Sequence, residues 1–120
     1  MSTSPPPRPV LGHAVSGTLM RVLNRRALAN ADALLELMTE VADKAGMDVV
    51  GQAKHQFQPE GATCVLLLRQ SHMAVHTWPE HGMATVEIFS CVGMGQVVEA
   101  LGMVKAAFQA SIVKTVEFEH

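Results

Sequence analysis

At 120 residues the chain has room for one hydrophobic core and not for two, and 48% apolar against 17% charged residues excludes a disordered polymer. A formal net charge of −2, with no block of like charges, leaves no electrostatic footprint for nucleic acid or an anionic membrane. Apolar runs such as Cys64 to Leu68 are far too short to cross a bilayer, and two cysteines, Cys64 and Cys91, make no disulfide framework.

Residues 1–11 (MSTSPPPRPVL) contain no apolar stretch of signal-peptide length and read as a disordered lead. Reduced thiols and a cytoplasmic location follow as expectations. One domain is expected over 12–120, with no internal repeat. Residues 12–23 (GHAVSGTLMRVL) resemble a strand with imperfect alternation. Leu34, Leu37, Met38, Val41 and Ala45 recur at helical spacing, so a helix is predicted from Ala31 to Ala45, capped by Asn30 or Asp32 and stopped by Gly46. Strands follow at 47–57 and 62–69 around a Gln58-Pro59-Glu60-Gly61 turn. Two more, 71–78 and 83–90, flank Pro79-Glu80-His81-Gly82. Val97, Leu101, Val104 and Phe108 mark a second helix, and 112–118 a closing strand. The order β-α-β-β-β-β-α-β predicts an α+β two-layer sandwich, a largely antiparallel sheet with two helices on one face. The other face needs cover, which points to a dimer or a face-to-face sheet partner.

Chemistry concentrates on the hairpin around the second turn. With its axis at His81, Ser71 lies opposite Cys91. On spacing alone a strand-end serine and a small buried thiol are the better account of the pair. His76 stands five residues beyond Ser71, so an unbroken strand turns the two to opposite faces. Bringing them together requires a sharp strand end or a bulge. His72, His76, Glu80, His81 and Cys91 are all possible metal ligands. They fit neither a CxxC pair nor an HExxH pattern, and no metal site is expected. Gly93-Met94-Gly95 reads as a loop end before the second helix, not as a phosphate loop.

Ser71, His72, His76, Thr77, Trp78, Pro79 and Glu80, with Cys91 twenty residues after the serine, resemble the S-adenosylmethionine decarboxylase proenzymes of bacteria and archaea. Their upstream H-x-F-x-P-x-G-x-[ST] pattern is matched by His55, Phe57, Pro59, Gly61 and Thr63, and a weaker likeness runs from Gly12 to about Glu119. The resemblance implies that Ser71 attacks the carbonyl of Gln70 in an N→O acyl shift. His76 then removes the Ser71 Hα, and β-elimination splits the chain between Gln70 and Ser71. The residual dehydroalanine tautomerises and is hydrolysed by water, which releases ammonia and leaves a pyruvoyl group in place of Ser71. That ketone forms a Schiff base with the substrate amine and draws electrons away. The resemblance also assigns Thr63 to the processing intermediate, Cys91 to protonation of the product, Phe57 to adenine and Glu80 to the ribose hydroxyls. It implies a homodimer of processed protomers.

Four positions depart from the family pattern. Gln70 replaces the usual Glu and Val92 the glycine after the cysteine, while His81 and Met83 stand where aromatics are common. The expected activity is decarboxylation of S-adenosylmethionine for polyamine synthesis. The alternatives are a pyruvoyl-dependent decarboxylase of ornithine or arginine, and an unprocessed non-catalytic homologue. Phe57 and Glu80, which serve a nucleoside, favour the first.

Overall fold

A computed structural model describes residues 4–120; the first three residues of the expected lead lie outside it, and residues 4–12 form no helix or strand. Six strands follow: β1 (His13–Met20), β2 (Val49–Gln56), β3 (Ala62–Leu68), β4 (Ser71–Trp78), β5 (Met83–Ser90) and β6 (Ser111–Glu119). They form one sheet in the order β2-β3-β4-β5-β1-β6, and every neighbouring pair is antiparallel. Helices α2 (Ala31–Lys44) and α3 (Met94–Phe108) cover one face, giving the expected two-layer α+β sandwich.

The first strand stops at Met20 instead of Leu23, and a third helix, α1 (Arg25–Ala29), lies between it and α2, where the sequence predicts no element. Its Asn24 side chain accepts from Ala27 N at 3.2 Å, and Asn30 does the same for α2 through Ala33 N at 2.9 Å. The α2 stripe Leu34, Met38 and Val41 and the α3 stripe Val97, Leu101, Val104 and Phe108 meet the inward residues of the sheet, among them Val15, Leu19, Leu66, Met73, Val75 and Ile88. Gly17 lets α3 lie close, since a Cβ there would come within 3.1 Å of the Leu101 side chain. Burying each large side chain contributes about 1.5–3 kcal/mol.

The opposite face is open. Alternation puts His55, Thr63, His76, Thr85, Thr18 and Lys114 on it as one cross-strand row through all six strands. Leu67, Phe118, Phe57 and Trp78 stand on or beside it, 54%, 47%, 46% and 40% exposed. That is a large apolar share for a surface facing water.

Candidate active site

The β4–β5 register differs from the expected one. Pro79–His81 form a single turn of 3-10 helix, Gly82 takes the left-handed conformation at φ 62, and Trp78 pairs with Met83. The loop therefore holds four residues, an even number, and the axis falls between two residues instead of on His81. Ser71 consequently faces Ser90, and Cys91 lies one residue past the ladder. The thiol still reaches the peptide bond between Gln70 and Ser71, which the resemblance marks for cleavage. Cys91 Sγ donates to the Gln70 carbonyl at 2.8 Å. Gln70 turns the chain between β3 and β4 in the left-handed region at φ 59, which costs a non-glycine residue about 1–2 kcal/mol. No side-chain hydrogen bond among the described residues engages the Ser71 hydroxyl. Gln70, Ser71 and Cys91 thus form one cluster, at the mouth of the hairpin.

Phe57, Thr63, His76 and Glu80 form a second. They line one cleft of about 290 Å³ together with Glu60, Gly61, Thr77, Trp78 and Pro79. Thr63 pairs with His76 in register, and its hydroxyl lies 2.9 Å from His76 Nδ1. His55 packs edge-on against Phe57 with ring centroids 4.7 Å apart, and Trp78 lies 6.3 Å from the His76 ring. Exposed Glu60 and Glu80 make the rim acidic.

Neither bulge nor kink joins the two clusters. The β4 ladders run without a register shift, and burial alternates strictly from Met73 onward. Ser71 shares the helix-facing side with Met73, Val75 and Thr77; His76 shares the open side with His72 and Trp78. Five strand residues span about 16 Å.

Two supports went unread in the sequence. Thr77 Oγ1 donates to Leu28 O at 2.7 Å and accepts from Ala62 N at 2.8 Å, a buried knot between α1, β3 and β4. Gln56 Oε1 accepts from Ala31 N at 2.6 Å, while its Nε2 donates to the carbonyls of Ala29, Phe57 and Gly61 at 2.9–3.0 Å. Together they fasten the Phe57–Gly61 turn to the α1–α2 junction. Among the described residues, no three His, Cys, Asp or Glu side chains converge as metal ligands, and no helix is long and apolar enough to cross a membrane.

The family described as S-adenosylmethionine decarboxylase matches residues 15–120. The chain belongs to this family. An S-adenosylmethionine decarboxylase proenzyme of Acidithiobacillus ferrooxidans is 35% identical over 109 residues, covering 91% of this chain and 81% of that one. That of Archaeoglobus fulgidus is 34% identical over 82 residues, 68% of this chain and 73% of its own. The crystal structure of the adenosylmethionine decarboxylase of Aquifex aeolicus superposes with a TM-score of 0.79 at 28% identity, covering 92% and 89% of the two chains. In this S-adenosylmethionine decarboxylase family member, one signal for the two-cluster layout was present in the sequence. The five-residue spacing of Ser71 and His76, taken with the strand rise, gives their faces and distance for an unbroken strand, and the ladders on both sides of β4 show that it is unbroken.

Proposed function

We propose that the protein is a self-cleaving S-adenosylmethionine decarboxylase, working in polyamine synthesis in the cytoplasm as a homodimer whose sites each draw on both protomers. Family membership over residues 15–120 carries the reaction and the substrate. The layout of β4 carries the dimer. A base about 16 Å away along a straight strand cannot reach its own serine, whereas the open face that bears His76 is also the face that needs cover.

The residues at the hairpin mouth fit the generation of a pyruvoyl group. The Ser71 hydroxyl is free to turn towards the Gln70 carbonyl, and the Cys91 S–H already polarises that carbonyl for attack. Ser71 Oγ bonds to the Gln70 carbon, the peptide C–N bond breaks, and the amine of residue 71 is freed. In the neighbouring protomer, His76 Nδ1 hydrogen-bonds to Thr63 Oγ1, and in the tautomer with the proton on Nδ1 the Nε2 lone pair is left to take the Ser71 Hα. The Gln70 carboxylate departs, so residues 1–70 and 71–120 become separate chains. When formed, the pyruvoyl group supplies an electron sink for the pair left by carbon dioxide. Cys91 delivers a proton to the carbon that has lost carbon dioxide. Phe57 offers a face to adenine, Glu80 accepts from the ribose hydroxyls, and the acidic rim suits a sulfonium cation.

Complementation tests this reading. His76→Ala and Ser71→Ala should each stay whole alone. Mixed under conditions that exchange protomers, they should yield cleaved His76→Ala chains only, since those keep the serine and borrow the base. Ready cleavage of His76→Ala alone would remove His76 as the base. Mixed dimers that stay whole would confine the site to one protomer. A wild-type preparation that never cleaves would leave a non-catalytic homologue.

A further inference from the structure

The hairpin mouth also holds a buried hydroxyl that this chemistry leaves unused. Ser90 is 0% exposed and faces Ser71 across the last rung of the β4–β5 ladder. Its Oγ–H donates to Gln96 Oε1, and the same oxygen accepts from Val92 N at 3.0 Å. One bond comes from the residue after Cys91 and the other reaches the third residue of α3, so the pair brackets the thiol.

Little else fixes that stretch. Cys91 and Val92 are exposed, and a Cβ at Gly93 would meet nothing within 4 Å. The helix α3 opens at Gly93 without a side-chain cap, so its link to the strand end runs through Gln96 and Ser90. A group in this place must donate in one direction and accept in the other, which a hydroxyl does and a methyl does not. We infer that Ser90, held by Gln96, is the positioning residue that keeps the Cys91 thiol on the Gln70 carbonyl. This role rests on the reading of Cys91 as the group that acts at that carbonyl and later on the substrate carbon. It adds that the thiol is aimed from the buried side of the sheet and not by its own exposed loop.

Ser90→Ala, Ser90→Thr and Gln96→Leu in the full chain test the inference. Ser90→Ala should self-cleave about tenfold more slowly or worse, because an ångström of misplacement at a reacting atom is costly. The enzyme that does form should end sooner with alanine at the new N-terminus by mass spectrometry, the mark of a proton delivered to the wrong carbon. Its KM should stay within about twofold, since Phe57 and Glu80 lie in the other cluster. Ser90→Thr keeps the hydroxyl and should restore both readouts. Gln96→Leu, at a half-buried helix position that tolerates leucine, should move them the same way by less. A lowered melting temperature with unchanged cleavage and alanine fraction would overturn the inference and leave Ser90 a packing residue. Cys91→Ser separates the two levels. If it cleaves and turns over as wild type, the reading of Cys91 fails and this role goes with it. If Cys91→Ser is impaired while Ser90→Ala and Gln96→Leu are normal, only the role of Ser90 fails.

Discussion

The two ends of β4 are built in opposite ways. At the Ser71 end the bond proposed to cleave sits in a tight turn, exposed, strained at Gln70 and touched by a single thiol. At the Trp78 end the cleft is framed by buried hydrogen bonds through Thr77, which tie α1, β3 and β4 together, and by the half-buried Gln56. The contrast matches the demands made on each end. A bond that must rearrange and break gains from few restraints, whereas a surface that must fit a nucleoside gains from a stiff frame.

Ser71→Ala breaks the comparison most completely. With no hydroxyl to attack, cleavage should vanish on a gel, while calorimetry should still find S-adenosylmethionine bound, because the cleft is untouched. The two thiols sharpen it next. Burial pushes the Cys64 thiol up to about 11, from an ordinary 9.0. The folded state holds that proton more tightly, so stability is intact below pH 9 and falls as pH rises through 11. The loss should approach 2–3 kcal/mol in urea midpoints. Cys64→Ala should be less stable at neutral pH yet flatter across that window. Glu80→Gln should raise the KM about 10- to 100-fold, the 1.5–3 kcal/mol of a lost charged hydrogen bond, with cleavage at its normal rate. The smallest effect belongs to Thr63→Val. Removing the partner of His76 Nδ1 costs about 0.5–1.5 kcal/mol and should slow cleavage several-fold without stopping it.

Element types and the covered face were legible because Leu34, Met38 and Val41, or Met73 and Val75, announce their own periods. The five-residue α1 was not, since Arg25-Arg26-Ala27-Leu28-Ala29 buries only Ala27 and Leu28, too few positions to show a helical stripe. The β4–β5 register slipped by one because Pro79-Glu80-His81-Gly82 signals a turn without stating how many residues it spends. Only the left-handed Gly82 and the pairing of Trp78 with Met83 settle that. The chemistry of Ser71, His76, Cys91, Phe57 and Glu80 came from a motif, and a motif carries no distances. Their division into two clusters needed the unbroken ladder. Gln56 and Ser90 escaped notice for a related reason: their partners are backbone groups and a helix residue whose positions no spacing rule supplies.

The strand order has a consequence for the protein once nicked at the proposed bond between Gln70 and Ser71. Residues before that bond supply β1, β2 and β3, and those after it supply β4, β5 and β6. In the order β2-β3-β4-β5-β1-β6, strand β1 of the first fragment lies between β5 and β6 of the second. The fragments are interleaved like fingers, joined along three ladders instead of one. Neither can leave without exposing raw strand edges on both. Cutting the backbone therefore leaves the fold in one piece but changes the order of its unfolding reaction. The intact precursor melts within its own subunit, whereas the nicked subunit comes apart into two chains, so its melting temperature should climb with concentration even where the precursor's does not.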